Sequence, residues 1–202
     1  MDDAIANWQW LMPLSRRVDA VVIAPRTDSS FGFLTHGFDR TRHFDPSIAD
    51  QTSGQFEASW RSSYGDGSLD CVAAPRSNRT GPGWRADEGM LSTVRRSLRP
   101  GHGVFVAIEQ IRGPESGSRF RGLFGPRKAS MIRSAGFSQI RSFYMVSAPS
   151  LALHFVPIDR RMILAWDSAM ESAGVRSSIR QLVINMGLHA LLFRFRLIVA
   201  RA

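Results

Sequence analysis

Cysteine is almost missing from this 202-residue chain: Cys71 stands alone. One thiol excludes an internal disulfide framework and any cysteine-rich zinc site, and fits a reducing cytoplasm. Long hydrophobic runs are missing too. No stretch reaches the roughly 18 uncharged apolar residues of a membrane-spanning helix, and the last apolar segment, Leu188 to Ala200, is broken by Arg194 and Arg196. The opening Met1-Asp2-Asp3 is acidic and runs into Trp8-Gln9-Trp10-Leu11-Met12, without the basic start and apolar core of a signal peptide. Lysine is as rare as cysteine, since Lys128 is the one lysine among 26 basic residues.

What remains is arginine, against 17 acidic residues, for a formal net charge of +9. That sign invites a nucleic-acid partner. The skew from lysine to arginine, however, is more often the mark of a GC-rich bacterial genome than of a selected binding surface. The arginines also spread along the whole chain with no basic run longer than two, which predicts a dispersed solvated surface. Hydrophobic residues make up 44%, with thirteen Phe and five Trp, enough to build the core of one globular domain at this length.

Apolar runs suited to buried strands alternate with segments suited to helices. Val18 to Ala24 reads as a first buried strand closed by Pro25, a weak helix follows over Ser30 to His36, and Arg40 to Asp45 forms a second strand. Pro46 to Gly67 is harder to read, as a short helix and then a strand over Phe56 to Arg61. Leu69 to Ala74 is a strand closed by Pro75, and Arg76 to Arg85 a loop. Met90, Leu91, Val94 and Leu98 share one face of a helix opening at Asp87 or Glu88 and closing on arginines, as the helix dipole favours. Pro100-Gly101 makes a turn into the strand Val104 to Ile108. After a loop over Arg112 to Gly125 come a helix over Arg127 to Ser134, a strand over Gln139 to Val146 and an irregular stretch from Pro149 to Arg161. Helical segments then run to about Met186, and a terminal strand spans Leu191 to Ala200. Strands alternating with helices predict an α/β domain, doubly wound, with a mostly parallel sheet covered on both faces.

Three consecutive pieces resemble the class I S-adenosylmethionine-dependent methyltransferases. Tyr64-Gly65-Asp66-Gly67-Ser68-Leu69-Asp70-Cys71-Val72 resembles the polar turn leading into that family's fourth strand. Leu91 to Gly101 and the strand to Glu109 resemble its helix, Leu-(Arg/Lys)-Pro-Gly turn and fifth strand. Met131 to Phe137 resembles the helix end and Ala-Gly-Phe before its sixth strand. The resemblance covers about residues 18 to 146, and the terminal strand suits the family's antiparallel seventh. It implies one Rossmann-like domain: an N-terminal helical segment over 1–17, a core over 18–146, and a segment over 147–202 completing the sheet. Trp8, Trp10, Leu11 and Met12 would form a helix packed on the sheet, or a lid in a working enzyme.

The resemblance further implies S-adenosylmethionine as cofactor, lying across the carboxyl ends of the first strands. The positions matching the family's glycine-rich first turn are Ala24, Pro25 and Arg26, followed by Thr27 to Ser30, with no glycine before Gly32. Pro25 removes a backbone donor and Arg26 adds bulk. Arg26 and the nearby hydroxyls could instead hold a carboxylate at a helix N-terminus. Asp45 lies about 20 residues further on, where an acid binds ribose hydroxyls in nucleotide-binding α/β folds; Asp45-Pro46 before Ser47 is equally a natural helix start. Ser62 and Ser63 fall where the family places its adenine contacts, and Ala74-Pro75 would face the transferred methyl.

Methyl transfer needs chiefly in-line alignment, so no acid or base is demanded, and catalytic residues stay unassigned. His36, His43, His102, His154 and His189 show no metal-ligand spacing, and Asp66 and Asp70 are accounted for by turn and strand. Three functions remain open: methyl transfer to a small molecule or peptide, a methyltransferase-like scaffold or partner subunit that no longer binds the cofactor, and an RNA-directed enzyme.

Overall fold

A computed structural model of the chain describes residues 17–23, 37–45, 53–75, 88–110, 126–146, 155–171, 178–193 and 195–202. The expected helices over 1–17 and Ser30 to His36, the turn Ala24 to Ser30, and the loops Arg76 to Arg85 and Arg112 to Gly125 lie essentially outside them. The elements run β1 (Asp19–Ile23), β2 (Arg40–Phe44), α1 (Ser53–Ser63), β3 (Cys71–Pro75), α2 (Glu88–Ser97), β4 (Val104–Gln110), α3 (Pro126–Ser134) and β5 (Ser138–Met145). Then come β6 (Phe155–Pro157), α4 (Arg160–Glu171), α5 (Ser178–Asn185), a 3-10 turn over His189–Leu192 and β7 (Phe195–Arg201).

The seven strands form one sheet in the order β2-β1-β3-β4-β7-β5-β6. The pairs β1–β2, β1–β3 and β3–β4 are parallel, while β7 runs antiparallel between β4 and β5. This is the expected α/β architecture with its antiparallel terminal strand. Chain order reverses at β1, which has β2 on one side and β3 on the other; doubly wound sheets bind ligands at the carboxyl ends of such a switch point.

Strand alternation divides the core between two faces. Ala20, Val22, Cys71, Ala73, Val104, Val106, Leu197 and Val199 are buried on one face. Val21, Ile23, Val72, Ala74, Phe105, Ile198 and Ala200 are buried on the other, against residues of α1, α2 and α3. Sheets covered on both faces read as continuous apolar runs, as β1 and β3 do. At the β5–β6 margin, Tyr144 and Val156 pack with Ile163 of α4, Ile184 of α5 and Phe193.

Two expectations are corrected. Residues 56–61 are not a strand but the middle of α1. Phe56, Trp60 and Tyr64 recur every four residues, so a helix brings all three to one side, where they are buried around Phe44. A strand would have turned Ala58, which is exposed, to the same side as Phe56 and Trp60. The segments expected as fourth, fifth and sixth strands are therefore β3, β4 and β5, and no described strand lies beyond β2. The stretch Pro149 to Arg161 is not wholly irregular either, because Phe155–Pro157 pairs antiparallel with β5. Its short length leaves no readable period.

The amino ends of the strands are tied by Asp70, whose side chain is almost wholly buried. Its Oδ2 accepts from the backbone N–H groups of Val18 and Asp19, each at 3.0 Å. Its Oδ1 accepts from Arg99 Nε at 2.6 Å. Burial opposes the charge, but the two backbone donors and the Arg99 guanidinium outweigh it and hold the carboxyl below the usual carboxylate range. Asp70 therefore acts structurally, joining β1 and β3 to the turn that opens β4. In that turn Gly101 takes φ +69°, the left-handed value expected of Pro100-Gly101.

Candidate functional site

In a doubly wound sheet the ligand crevice lies at the carboxyl ends of the strands flanking the switch point. Here those ends are Ile23, Phe44 and Pro75. The register sets Ile23 beside Phe44, so Asp45 emerges immediately past the end of β2 and next to the exit of β1. Asp45 is half-buried, neither lost in the core nor fully in water. A carboxylate is a group that can accept hydrogen bonds from both hydroxyls of a vicinal diol.

Ala74 is buried at the end of β3, and Pro75 closes that strand opposite Ile108 of β4. The Ala74 side chain is small and uncharged. Ala24, Pro25 and Arg26 lie outside the described residues, so the first turn adds nothing to this geometry.

Ser62 and Ser63 are carried elsewhere. They occupy the exposed last turn of α1, and both hydroxyls donate to the carbonyl of Ser59, at 2.8 and 3.1 Å. The chain then passes through Tyr64 and reaches Gly67, whose N–H donates to the Arg96 carbonyl at the end of α2. That is the amino end of the sheet, where Asp70 and β3 begin. The structure thus brings Asp45, Ala74 and Pro75 to one end and sets Ser62 and Ser63 at the other. The cause is the helix over 53–63: the adenine assignment supposed a strand there, which would have delivered its end to the carboxyl side.

His102, exposed in the turn before β4, also sits at the amino end. Among the described residues no three His, Cys, Asp or Glu side chains gather as a metal site. None of the described helices is long and apolar enough to cross a membrane.

Sequence reasoning passed over another buried acid. Asp167 of α4 is 2% exposed, and Arg180 of α5 approaches its Oδ1 at 2.8 Å while its guanidinium covers the Trp166 ring at 4.9 Å. The pair spans 13 residues and two helices, a separation with no local signature. It ties α4 to α5 beside the stacked rings of Tyr144 and Phe193.

Known structures place this arrangement. Phosphoethanolamine N-methyltransferase 2 of Haemonchus contortus, with phosphomonomethylethanolamine and S-adenosylhomocysteine bound, matches at a TM-score of 0.51 and 11% identity, over 99% of this chain and 52% of its own. The same enzyme with S-adenosyl-L-methionine gives a TM-score of 0.49 at 11% identity, again over 99% and 52%. A protein of Galdieria sulphuraria assigned as a sarcosine dimethylglycine methyltransferase gives 0.49 at 13% identity, over 99% of this chain and 84% of its own. This chain spans about half the length of the Haemonchus enzyme, matching 52% of it. No protein-family model and no curated protein matches the sequence. The chain has the class I methyltransferase fold.

Proposed function

We propose that the chain binds S-adenosylmethionine at the carboxyl ends of β1, β2 and β3 and transfers its methyl group to a small-molecule or peptide acceptor. The observation that carries this reading is Asp45, half-buried at the end of β2 and adjacent to the exit of β1. Asp45 would hold the ribose hydroxyls, and the Ala74–Pro75 strand end would leave room for the methionine end of the cofactor. The sulfonium supplies an activated methyl group when bound, and the task left to the protein is in-line alignment with the acceptor. The first-turn positions Ala24, Pro25 and Arg26 belong to this proposal as its flank.

A second reading has its own support. With Ser62 and Ser63 bonded back into α1 and no described strand beyond β2, the adenine side lacks the residues assigned to it. A methyltransferase-like scaffold or partner subunit would tolerate that loss. Calorimetric titration with S-adenosylhomocysteine separates the two. The enzyme reading expects saturable binding that weakens at least about tenfold in Asp45→Ala, the equivalent of one charge-assisted hydrogen bond. Ser62→Ala should bind like the parent. Equal affinity in Asp45→Ala would sink the assigned site, and no binding by either protein would favour the scaffold.

A further inference from the structure

The positive charge is not as evenly dispersed as its spacing along the chain suggests. Three stretches run through the corner where β4, β5 and β7 meet at the amino end of the sheet: residues 89–104, 129–146 and 195–202. None contains an aspartate or glutamate, while together they carry Arg95, Arg96, Arg99, Arg133, Arg141, Arg196 and Arg201.

Acids from elsewhere reach two of these arginines. Glu57 meets Arg96 at 2.9 Å, and Asp70 meets Arg99 at 2.6 Å. Arg196 lies at the other end of β7, beside Tyr144. Arg95, Arg133, Arg141 and Arg201 are left with no acidic partner among the described residues.

Backbone register and contacts place the four around the amino-end rim of the sheet. The Arg95 guanidinium rests over Gly136, where a Cβ would come within 3.2 Å of it. The Gly136 N–H donates to the Arg133 carbonyl at 2.8 Å, which places the end of α3 alongside. Arg201 pairs with Ser138 across β5–β7, and its Nη1 donates to Gln139 Oε1 at 3.4 Å. Arg141 follows three residues beyond Ser138, opposite Val199. Arg95 and Arg133 close helices on one side of the sheet, while Arg141 and Arg201 belong to strands and share the face of Val199 by alternation. The set therefore divides between the two faces at the amino-end rim of β4, β7 and β5.

Two of the four also complement the partial negative charge at the ends of α2 and α3. That role uses the side-chain position and leaves the guanidinium donors available to an outside acceptor. Among the described residues the large exposed apolar side chains lie away from them: Val146 follows the far end of β5, and Met162, Leu182, Met186 and Leu188 belong to α4, α5 and the turn after it. A patch of guanidiniums without apolar anchors suits a solvated chain of phosphates rather than a lipid interface, because arginine donors match phosphate oxygens bidentately.

We propose that this amino-end corner, through Arg95, Arg133, Arg141 and Arg201, docks the phosphodiester backbone of a nucleic acid. It lies at the opposite end of the sheet from Asp45, so it is independent of the cofactor assignment. The corner holds the strand by its backbone and reads no sequence, since only phosphates are addressed.

The test is fluorescence anisotropy with labelled 20-nucleotide single strands of mixed-sequence RNA and DNA. With four contacts the affinity falls about 50-fold as salt rises from about 50 to about 200 mM, from a slope of roughly −0.7 per phosphate on a single strand. Arg133→Gln with Arg141→Gln removes two contacts, so the same salt step then costs only about 7-fold. The charge-matched control, Arg160→Gln with Arg161→Gln on α4, keeps the parent slope. Comparing the RNA and DNA arms tells which strand supplies the phosphates. No binding to either strand overturns the proposal. So does a control that flattens the slope as much as the corner variant, which would make net charge the cause. Binding to phosphatidylglycerol vesicles without binding to either strand also overturns it.

Discussion

Replacing Trp60 with alanine is expected to cost about 4 kcal/mol of folding stability, within the range for deleting a buried Trp or Phe. Trp60 is fully buried. Its ring centroid lies 5.4 Å from Phe56, 5.0 Å from Phe44 and 4.6 Å from Tyr64. Its Nε1 donates to Ser97 Oγ at 3.2 Å, so the substitution removes a hydrogen bond between α1 and α2 as well as the ring. In a domain of this size such a loss lowers the melting temperature by roughly 8–16 °C. The companion variant is Ala58→Glu. Ala58 is exposed on the helix, so a glutamate there should change stability by less than about 0.5 kcal/mol. In an extended strand Ala58 would share the buried face of Phe56 and Trp60, and a charge placed there would cost several kcal/mol. Thermal and urea unfolding of both variants decide the matter. Comparable destabilisation by the two would refute the helix and, with it, the placement of Ser62 and Ser63 at the amino end.

Three further outcomes follow from the buried contacts. Asp70→Asn is expected to destabilise by roughly 2–3 kcal/mol near neutral pH, because a charged acceptor for Arg99 and two backbone donors is lost. The folded Asp70 carboxyl lies below its unfolded value. Its contribution is therefore complete above about pH 4 and disappears as pH falls through the depressed folded value, so the variant's stability should change less over that acid range. Arg180→Ala leaves Asp167, 2% exposed, without its counter-ion; about 3 kcal/mol should be lost, and Asp167→Ala in the same background should recover part of it. Gly103→Ala would set a Cβ 2.7 Å from Leu98 Cβ and 2.8 Å from the Arg99 nitrogen. A cost of about 1–3 kcal/mol is expected in urea unfolding.

What could be read in the sequence was whatever depends on short-range periodicity. The helix α2 is visible because Met90, Leu91, Val94 and Leu98 fall on one face and are buried there. The strands β1, β3 and β4 are visible because a parallel strand buried on both sides must be apolar throughout. The recurrence of Phe56, Trp60 and Tyr64 was equally present, but Gly54, Ser59, Ser62 and Ser63 weaken helix propensity and aromatic residues favour strands. The packing around Phe44 decided in favour of the helix. β6 escaped because three residues carry no period.

For the site, the position of Asp45 was legible as a count from the first turn. The fate of Ser62 and Ser63 was not, since it follows from which way α1 runs. The ties of Asp70 to Arg99, 29 residues away, and of Asp167 to Arg180 were invisible for the same reason: they depend on which ends the fold brings together.

The carboxyl ends of β1, β2 and β3 are proposed as the cofactor site. Backbone amide shifts recorded while S-adenosylhomocysteine is added to isotope-labelled protein put that placement to the test. Saturable perturbations are expected at Ile23, Asp45 and Ala74, with Ser62, Asp70 and His102 unmoved. Perturbations confined to the amino-end residues, or none at saturating ligand, would contradict it.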